Sequence, residues 1–289
     1  MHVSWMLSIL LLIHPQNGLP LQIKENDDTL AIVNRKDITL PMPGLELVDP
    51  FKYEQLLSQI EQQIEVKPEV ATLSDSGNII PEKVGSKLNR HAFTEQFFQY
   101  YFNNRLSTLE VPKIRVYPKV DSELLSIIRT KRIGQYITYF NSRNKARSNN
   151  IALAVEAINN EVVFPGEIFS FNKVVGQRTV EKGYMKAPEI VKGELIEGIG
   201  GGICQVSSTL FNAVDYSGVT MVERFSHSKH VPYVPPGRDA TVSWYGPDFS
   251  FKNEYNQPIL IRAKVIGGMV IVFVYSSEDI NYQPRKITY

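Results

Sequence analysis

The sequence predicts an α+β protein made of a small N-terminal unit and a larger C-terminal one. Three observations carry this class. Two segments with apolar residues at helical spacing flank a short alternating run between about residues 50 and 120. A further helical pattern follows a run of glycines near residue 200. The last third is β-rich and ends in the hairpin "ILIRAKVIGGMVIVFVYS", turning at Gly267-Gly268. One helix loaded onto an antiparallel sheet is an α+β arrangement.

The elements follow in order. "MHVSWMLSILLLI" is an apolar run of signal-peptide length, too short for a comfortable membrane span. Residues 1–22 therefore read as a leader or anchor, although no Lys or Arg precedes the run and no small-x-small cleavage site follows it. A buried N-terminal strand or helix is the alternative. Residues 23–49 read as a linker or strand. "FKYEQLLSQIEQQI" places Tyr53, Leu56, Leu57, Ile60 and Ile64 at helical spacing, and Pro68 ends it. "EVATLSDSGNIIPEKVG" alternates about Ser76-Gly77-Asn78 and predicts a hairpin. "RHAFTEQFFQYYFNN" is a second helix, whose Phe93, Phe97, Tyr100 and Tyr101 suit a core or a sugar platform. "EVPKIRVYPKV" is extended.

From residue 131 a second unit begins and runs to 276, with 277–289 as a tail. "RIGQYITYFN" reads as a strand. "SNNIALAVEAINN" is a helix with Ser148 or Asn149 as cap and Asn159-Asn160 as stop. "EVVFPGEIFSFN" is extended about Pro165-Gly166, and "APEIVKGELIEG" turns at Lys192-Gly193. After the glycines comes a helix closed by Gly218, then strands at "TMVERFS", "DATVSWY" and "DFSFKN".

Composition limits the function. Hydrophobic residues make up 43% and charged residues 21%; 31 Lys and Arg nearly balance 30 Asp and Glu. Nothing in that balance indicates nucleic-acid binding. A single cysteine excludes an intrachain disulfide and a cysteine-rich zinc site. Asp, Glu and His show no metal-ligand spacing, and no organic cofactor is indicated.

The chemistry concentrates in "GGGICQVSSTLFNA", residues 200–213. Val206, Leu210 and Ala213/Val214 share one helical stripe, which puts Cys204 in the first turn. A helix N-terminus favours a thiolate, and free amides from Gly201 to Cys204 could hold an oxyanion. The glycines let the backbone approach a ligand. "ERFSHSKHVPYVPPGRDATVSW" supplies His227 or His230 as base and Asp239 as its orienting carboxylate. Three apart on a strand, the two histidines would face opposite ways, so one serves. The order Cys, His, Asp, with partners on following strands, is that of papain-like and transglutaminase-like enzymes. The opposing reading is a buried, inert cysteine, with Asp239 capping a turn. Ser207, Ser208 and Thr209 lack a G-x-S-x-G elbow, and "GIGGGICQ" lacks the Lys-Ser/Thr of a phosphate loop.

Residues 131–276 resemble the VanW domain of Gram-positive cell-envelope proteins, through "NIALAVEAINNEVVFPGEIFSFNKVVGQRT", "GYMKAPEIVKGELIEGIGGGICQVSSTLFNA", "ERFSHS" and "VPYVPPGRDATVSWYGPDFSFKN". Residues 50–120 resemble the peptidoglycan-binding-like domain that commonly precedes it. The resemblance implies an extracytoplasmic, cysteine-dependent L,D-transpeptidase that joins peptidoglycan stem peptides. Cys204 falls on the family's cysteine and His227 on its histidine, with Asp239 on the motif. Gly201, Gly202, Gln205, Arg224, Arg238, Asn172 and Arg178 would lie on the substrate side. Stem peptides, and with them glycan strands, would be the partners, and the membrane only through an uncleaved N-terminal segment. A cysteine peptidase or amidase on the same substrate, or a non-catalytic wall-binding scaffold, are the competing expectations.

Overall fold

The computed structural model describes residues 19–43, 46–103, 107–191 and 194–287. The apolar run at residues 1–13 and the Lys192-Gly193 turn lie outside them. The protein is α+β, with six α-helices and several small sheets among the described residues. Its described residues divide into two compact units, one within residues 1–70 and 82–119 and one within residues 71–81 and 120–289. No helix among the described residues is long and apolar enough to cross a membrane.

In the first unit, β1 (Leu21–Glu25) pairs antiparallel with β2 (Asp28–Val33). Residues 23–49 thus begin as a hairpin. A 3-10 turn, Arg35–Ile38, leads on to α1 (Pro50–Ile64). Pro50 opens that helix, and the Asp49 carboxylate accepts from the Phe51 and Lys52 amides, satisfying two donors that a first turn leaves orphaned. The chain then leaves for a hairpin of the second unit, β3 (Thr72–Leu73) and β4 (Ile79–Ile80), turning through Gly77 at φ +84°. It returns as β5 (Gly85–Leu88), α2 (Arg90–Asn103), β6 (Thr108–Glu110) and β7 (Lys113–Val116). β6 adds in parallel to β1, and β5 pairs with β7. Phe93, Phe97, Tyr100 and Tyr101 are all buried against α1 residues such as Leu57 and Ile60, so their use is core packing and not a sugar platform.

The second unit continues with α3 (Ser122–Ile128), which periodicity missed because it is barely two turns long; Asp121 caps it by accepting from Leu124 N. β8 (Lys131–Tyr139) follows, then α4 (Lys145–Ile158). The cap of α4 is Asn144, accepting from Arg147 N, and not Ser148 or Asn149. The earlier start turns Asn150 inward, where it is wholly buried. β9 (Val162–Val163), β10 (Ile168–Ser170) and the short α5 (Phe171–Val175) come next. The hairpin β11 (Lys186–Val191) and β12 (Glu194–Ile199) delivers the glycines, and α6 (Ile203–Tyr216) begins directly after them. β13 (Thr220–Glu223), β14 (Ser250–Lys252), β15 (Ile259–Ile266) and β16 (Met269–Ser276) complete it.

Two sheets frame α6. One has the order β8-β16-β15-β9 and the other β10-β14-β13, antiparallel throughout. The stripe Val206, Leu210, Ala213 and Val214 packs in the main core with β15 and β16 residues such as Ile261, Val270 and Val272. The opposite, polar side of α6 is buried too: Ser207, Ser208, Thr209 and Asn212 are fully enclosed. Residues 224–249, expected to include a strand at "DATVSWY", form instead an irregular segment with one bridge, Phe225–Thr241. Its backbone bonds to helix side chains in place of a neighbouring strand. Ser207 Oγ donates to Ala240 O, Ala240 N donates to Ser208 Oγ at 2.9 Å, and Asn212 Nδ2 donates to Arg238 O at 2.7 Å.

The seating of α6 on β8 depends on Gly134. A Cβ there would lie 2.3 Å from the Ala213 carbonyl oxygen. Gly134→Ala is therefore expected to destabilise the protein by about 1–3 kcal/mol, the usual cost of overpacking a well-fitted interface, measured by urea unfolding.

Candidate functional site

Cys204 occupies the second position of α6, two residues after the Gly202 cap, and is only partly buried. Its sulfur lies 3.5 Å from the Val242 carbonyl oxygen and 3.8 Å from Thr241 Oγ1, both on the irregular segment. The same segment brings in His227 and Asp239. One Asp239 oxygen, Oδ2, is 2.6 Å from the His227 backbone nitrogen and 2.6 Å from the ring Nδ1. The carboxylate so placed makes Nδ1 the protonated ring nitrogen and leaves Nε2 to face the thiol. These two side chains are 5% and 8% exposed.

The electrostatics bind the three together. Burial works against charge on Cys204, but the hydrogen bond and charge of His227, with the Val242 backbone and Thr241, hold its thiol below the ordinary value. Burial pulls His227 down, yet Cys204 and then Asp239 hold it above an ordinary imidazole. Burial raises Asp239, and the His227 amide and ring outweigh it, leaving the carboxyl lowered. The arrangement favours a thiolate–imidazolium pair steadied by a carboxylate.

The group opens into a cleft of about 960 Å³ whose walls include Tyr139, Trp244 and Tyr245. Gly202, Cys204, Gln205, Arg178 and His227 line it. Gln205 is buried; it donates to Thr138 Oγ1 at 3.0 Å and Tyr139 O at 2.9 Å, and accepts from Arg147 at 2.9 Å. Among the described residues no three His, Cys, Asp or Glu side chains are grouped where they could hold a metal ion.

Other expected positions fall elsewhere. Arg224 donates to the Gly237 and Asp239 carbonyls and stacks over Phe211, away from the cleft. Arg238 pairs with buried Asp215 at 2.6 Å and with Asn212 Oδ1 at 2.7 Å, and anchors the segment to α6. Asn172 donates to the Ser243 and Pro247 carbonyls and shapes the loop behind the cleft. His230 is exposed, and neither histidine sits on a strand. Asp239 accepts from His227 and does not merely cap a turn.

The glycines have packing reasons that sequence spacing did not show. A Cβ on Gly201 would meet the Ala187 carbonyl oxygen of β11 at 2.3 Å. Gly200 and Gly202 have φ of +97° and +112°, and a Cβ on either would crowd Arg178 at 3.3 Å or Arg147 at 3.0 Å. Buried Asn150 ties the run down by donating to Gly201 O and Met185 O. The amides also divide. Gly201 N and Ile203 N donate to the Gly198 and Gly200 carbonyls, so the Gly202 and Cys204 amides are those without a backbone acceptor among the described bonds. An oxyanion site narrows to these two.

Two cleft residues escaped the sequence reading. Arg147 lies on α4 with no motif to mark it. Tyr233 has its phenol pushed far up by burial first and then by the Cys204 charge, so it stays a donor at any ordinary pH. Only the fold brings either near the cysteine.

An α+β protein with a cysteine, histidine and aspartate assembled at a helix N-terminus is the class these features define. The chain belongs to the VanW-like family. The family model described as "VanW like protein" matches residues 146–275. The protein YoaR of Bacillus subtilis (strain 168) is 58% identical over 273 residues, covering 94% of this chain and 89% of its own length. The vancomycin B-type resistance protein VanW of Enterococcus faecalis (strain ATCC 700802 / V583) is 31% identical over 110 residues, 36% of this chain and 40% of that protein. No solved structure matches significantly.

The paired shifts fix the sign of a pH profile. The thiolate forms as pH rises through the lowered Cys204 value, and the imidazolium is lost as pH rises through the raised His227 value. Alkylation by iodoacetamide should therefore begin well below pH 9.0, the ordinary thiol value. His227→Ala should move that midpoint upward and slow alkylation at neutral pH by about tenfold or more, read by mass spectrometry.

Proposed function

We propose that the chain is a cysteine acyltransferase of the cell envelope, an L,D-transpeptidase joining peptidoglycan stem peptides. The observation that carries the reading is Cys204 facing an imidazole whose other nitrogen is held by Asp239, at the wall of an open cleft. The stem-peptide substrate and the extracytoplasmic setting come from the resemblance of the sequence to VanW domains. The resistance named for the Enterococcus relative agrees with a cell-wall setting.

The chemistry runs in two balanced halves. The Cys204 thiolate attacks the carbonyl carbon of a donor amide, and an S–C bond forms. The His227 imidazolium gives its Nε2 proton to the leaving amine nitrogen as the C–N bond breaks. An acceptor amine then attacks the thioester, His227 takes its proton, and the S–C bond breaks to restore the thiolate. The Gly202 and Cys204 amides face the oxyanion of each tetrahedral intermediate. Asp239 fixes the ring orientation and stays ionised, as the carboxylate of such triads does.

The test uses purified protein with disaccharide-tetrapeptide muropeptides, read by mass spectrometry. Wild type should form a dimer and release the terminal residue, Cys204→Ala should form none, and His227→Ala should be slower by about 10²–10⁴-fold. Release of the terminal residue without a dimer would make the enzyme a hydrolase. Unchanged muropeptides with folded wild type would support a wall-binding protein instead.

A further inference from the structure

Acyl transfer needs a nucleophile, a proton carrier and oxyanion donors. The cleft also holds two arginines that this chemistry does not use, Arg178 and Arg147. Both sense the charge of Cys204. Arg147 has a partner, the Gln205 side chain. Arg178 differs: its guanidinium lies over the Phe171 ring at 5.8 Å, and its Nη1 and Nη2 atoms are both buried and have no hydrogen-bond partner. The nearby Asp248 carboxylate does not supply one, because Oδ2 accepts from Ser170 Oγ and Oδ1 from the Asn172 and Phe249 amides. Buried guanidinium N–H groups without an acceptor are rare, since desolvation is costly. Gly200 makes this one fit, as its missing Cβ clears the Arg178 stem.

We infer that Arg178, supported by Arg147, forms a subsite for a free carboxylate and holds that of the C-terminal amino acid released as the Cys204 acyl-enzyme forms. This rests on the acyl-transfer reading and adds to it the residue that reads the terminal carboxylate. An internal peptide bond offers no charge to complete the guanidinium, whereas a terminal carboxylate matches its planar fork with two parallel hydrogen bonds. The site is then selective for chain ends, and Arg178 rather than Arg224 or Arg238 reads the carboxylate.

The thiol itself reports on the subsite, without any muropeptide. Iodoacetate and iodoacetamide differ chiefly in that one carries a carboxylate. Cys204 of the full chain should react with iodoacetate about tenfold faster than with iodoacetamide, the reverse of a free thiol. Arg178→Met should bring that ratio below one, and Arg178→Lys should restore part of it. N-acetyl-D-alanine should protect the thiol, and its amide should not. Arg178→Met should also keep or raise Tm, because a buried charge with no hydrogen-bond acceptor is replaced by an apolar chain of similar length that can still cover Phe171. A wild-type thiol that prefers iodoacetamide overturns the subsite while leaving the nucleophile intact. A fall in Tm on Arg178→Met would make the arginine a structural residue and overturn it equally. Better protection by inorganic phosphate than by N-acetyl-D-alanine overturns the carboxylate assignment. A thiol inert to both reagents removes the nucleophile reading and this one with it.

Discussion

The hydrogen bonds between the polar side of α6 and the backbone of residues 238–242 are what the rest of the site depends on. Ser207, Ser208 and Asn212 would ordinarily weaken a helix interior, since their side chains compete for backbone partners. Here that tendency is directed outward onto the covering segment. The segment has almost no strand ladder of its own, so these bonds set its register against the helix. Asp239 sits between two anchored residues, Arg238 and Ala240, and its position is therefore fixed. Through one carboxylate oxygen it fixes both the backbone and the ring of His227. The geometry at Cys204 follows from a chain of contacts that begins one turn further along its own helix.

The glycine run is the second constraint, and it acts from the other side of the helix N-terminus. Three neighbours crowd the three missing side chains: Arg178, the β11 backbone and Arg147. The run thus brings strand, helix and both cleft arginines closer than any side chain would permit. Asn150 closes the arrangement by binding Gly201 and Met185 together. Presenting the cysteine and placing cations around it are outcomes of one packing solution.

Much of this was legible in the sequence, for physical reasons that can be named. The 3.6-residue stripe of α6 and the Gly267-Gly268 hairpin are local signals, and the fold keeps them. Cys204, His227 and Asp239 were nameable because their side chains carry unusual chemistry in a short order along the chain. Other features depend on what a residue meets across the fold. A serine on a helix reads as solvent-facing whether its neighbour is water or a buried carbonyl, so the covered side of α6 was invisible. For the same reason "DATVSWY" looked like a strand, although α6 side chains meet the Ala240 and Val242 backbone and only Thr241 bridges another extended residue. Arg224 and Arg238 share charge with Arg147 and Arg178, and only burial and partners separate anchors from cleft residues. Asn144 took the cap from Ser148 because any of several polar residues in that stretch can begin a helix.

An enclosed polar helix face has a consequence for how the molecule fluctuates. Lifting residues 238–242 would strand the hydroxyls and amides of α6 inside the protein, and freeing α6 would strand the segment's carbonyls. Neither can loosen alone at small cost, so the two open together as one cooperative unit. Displacing residues 238–242 would carry Asp239 off the His227 ring, so the orientation of the histidine is lost together with the helix contacts.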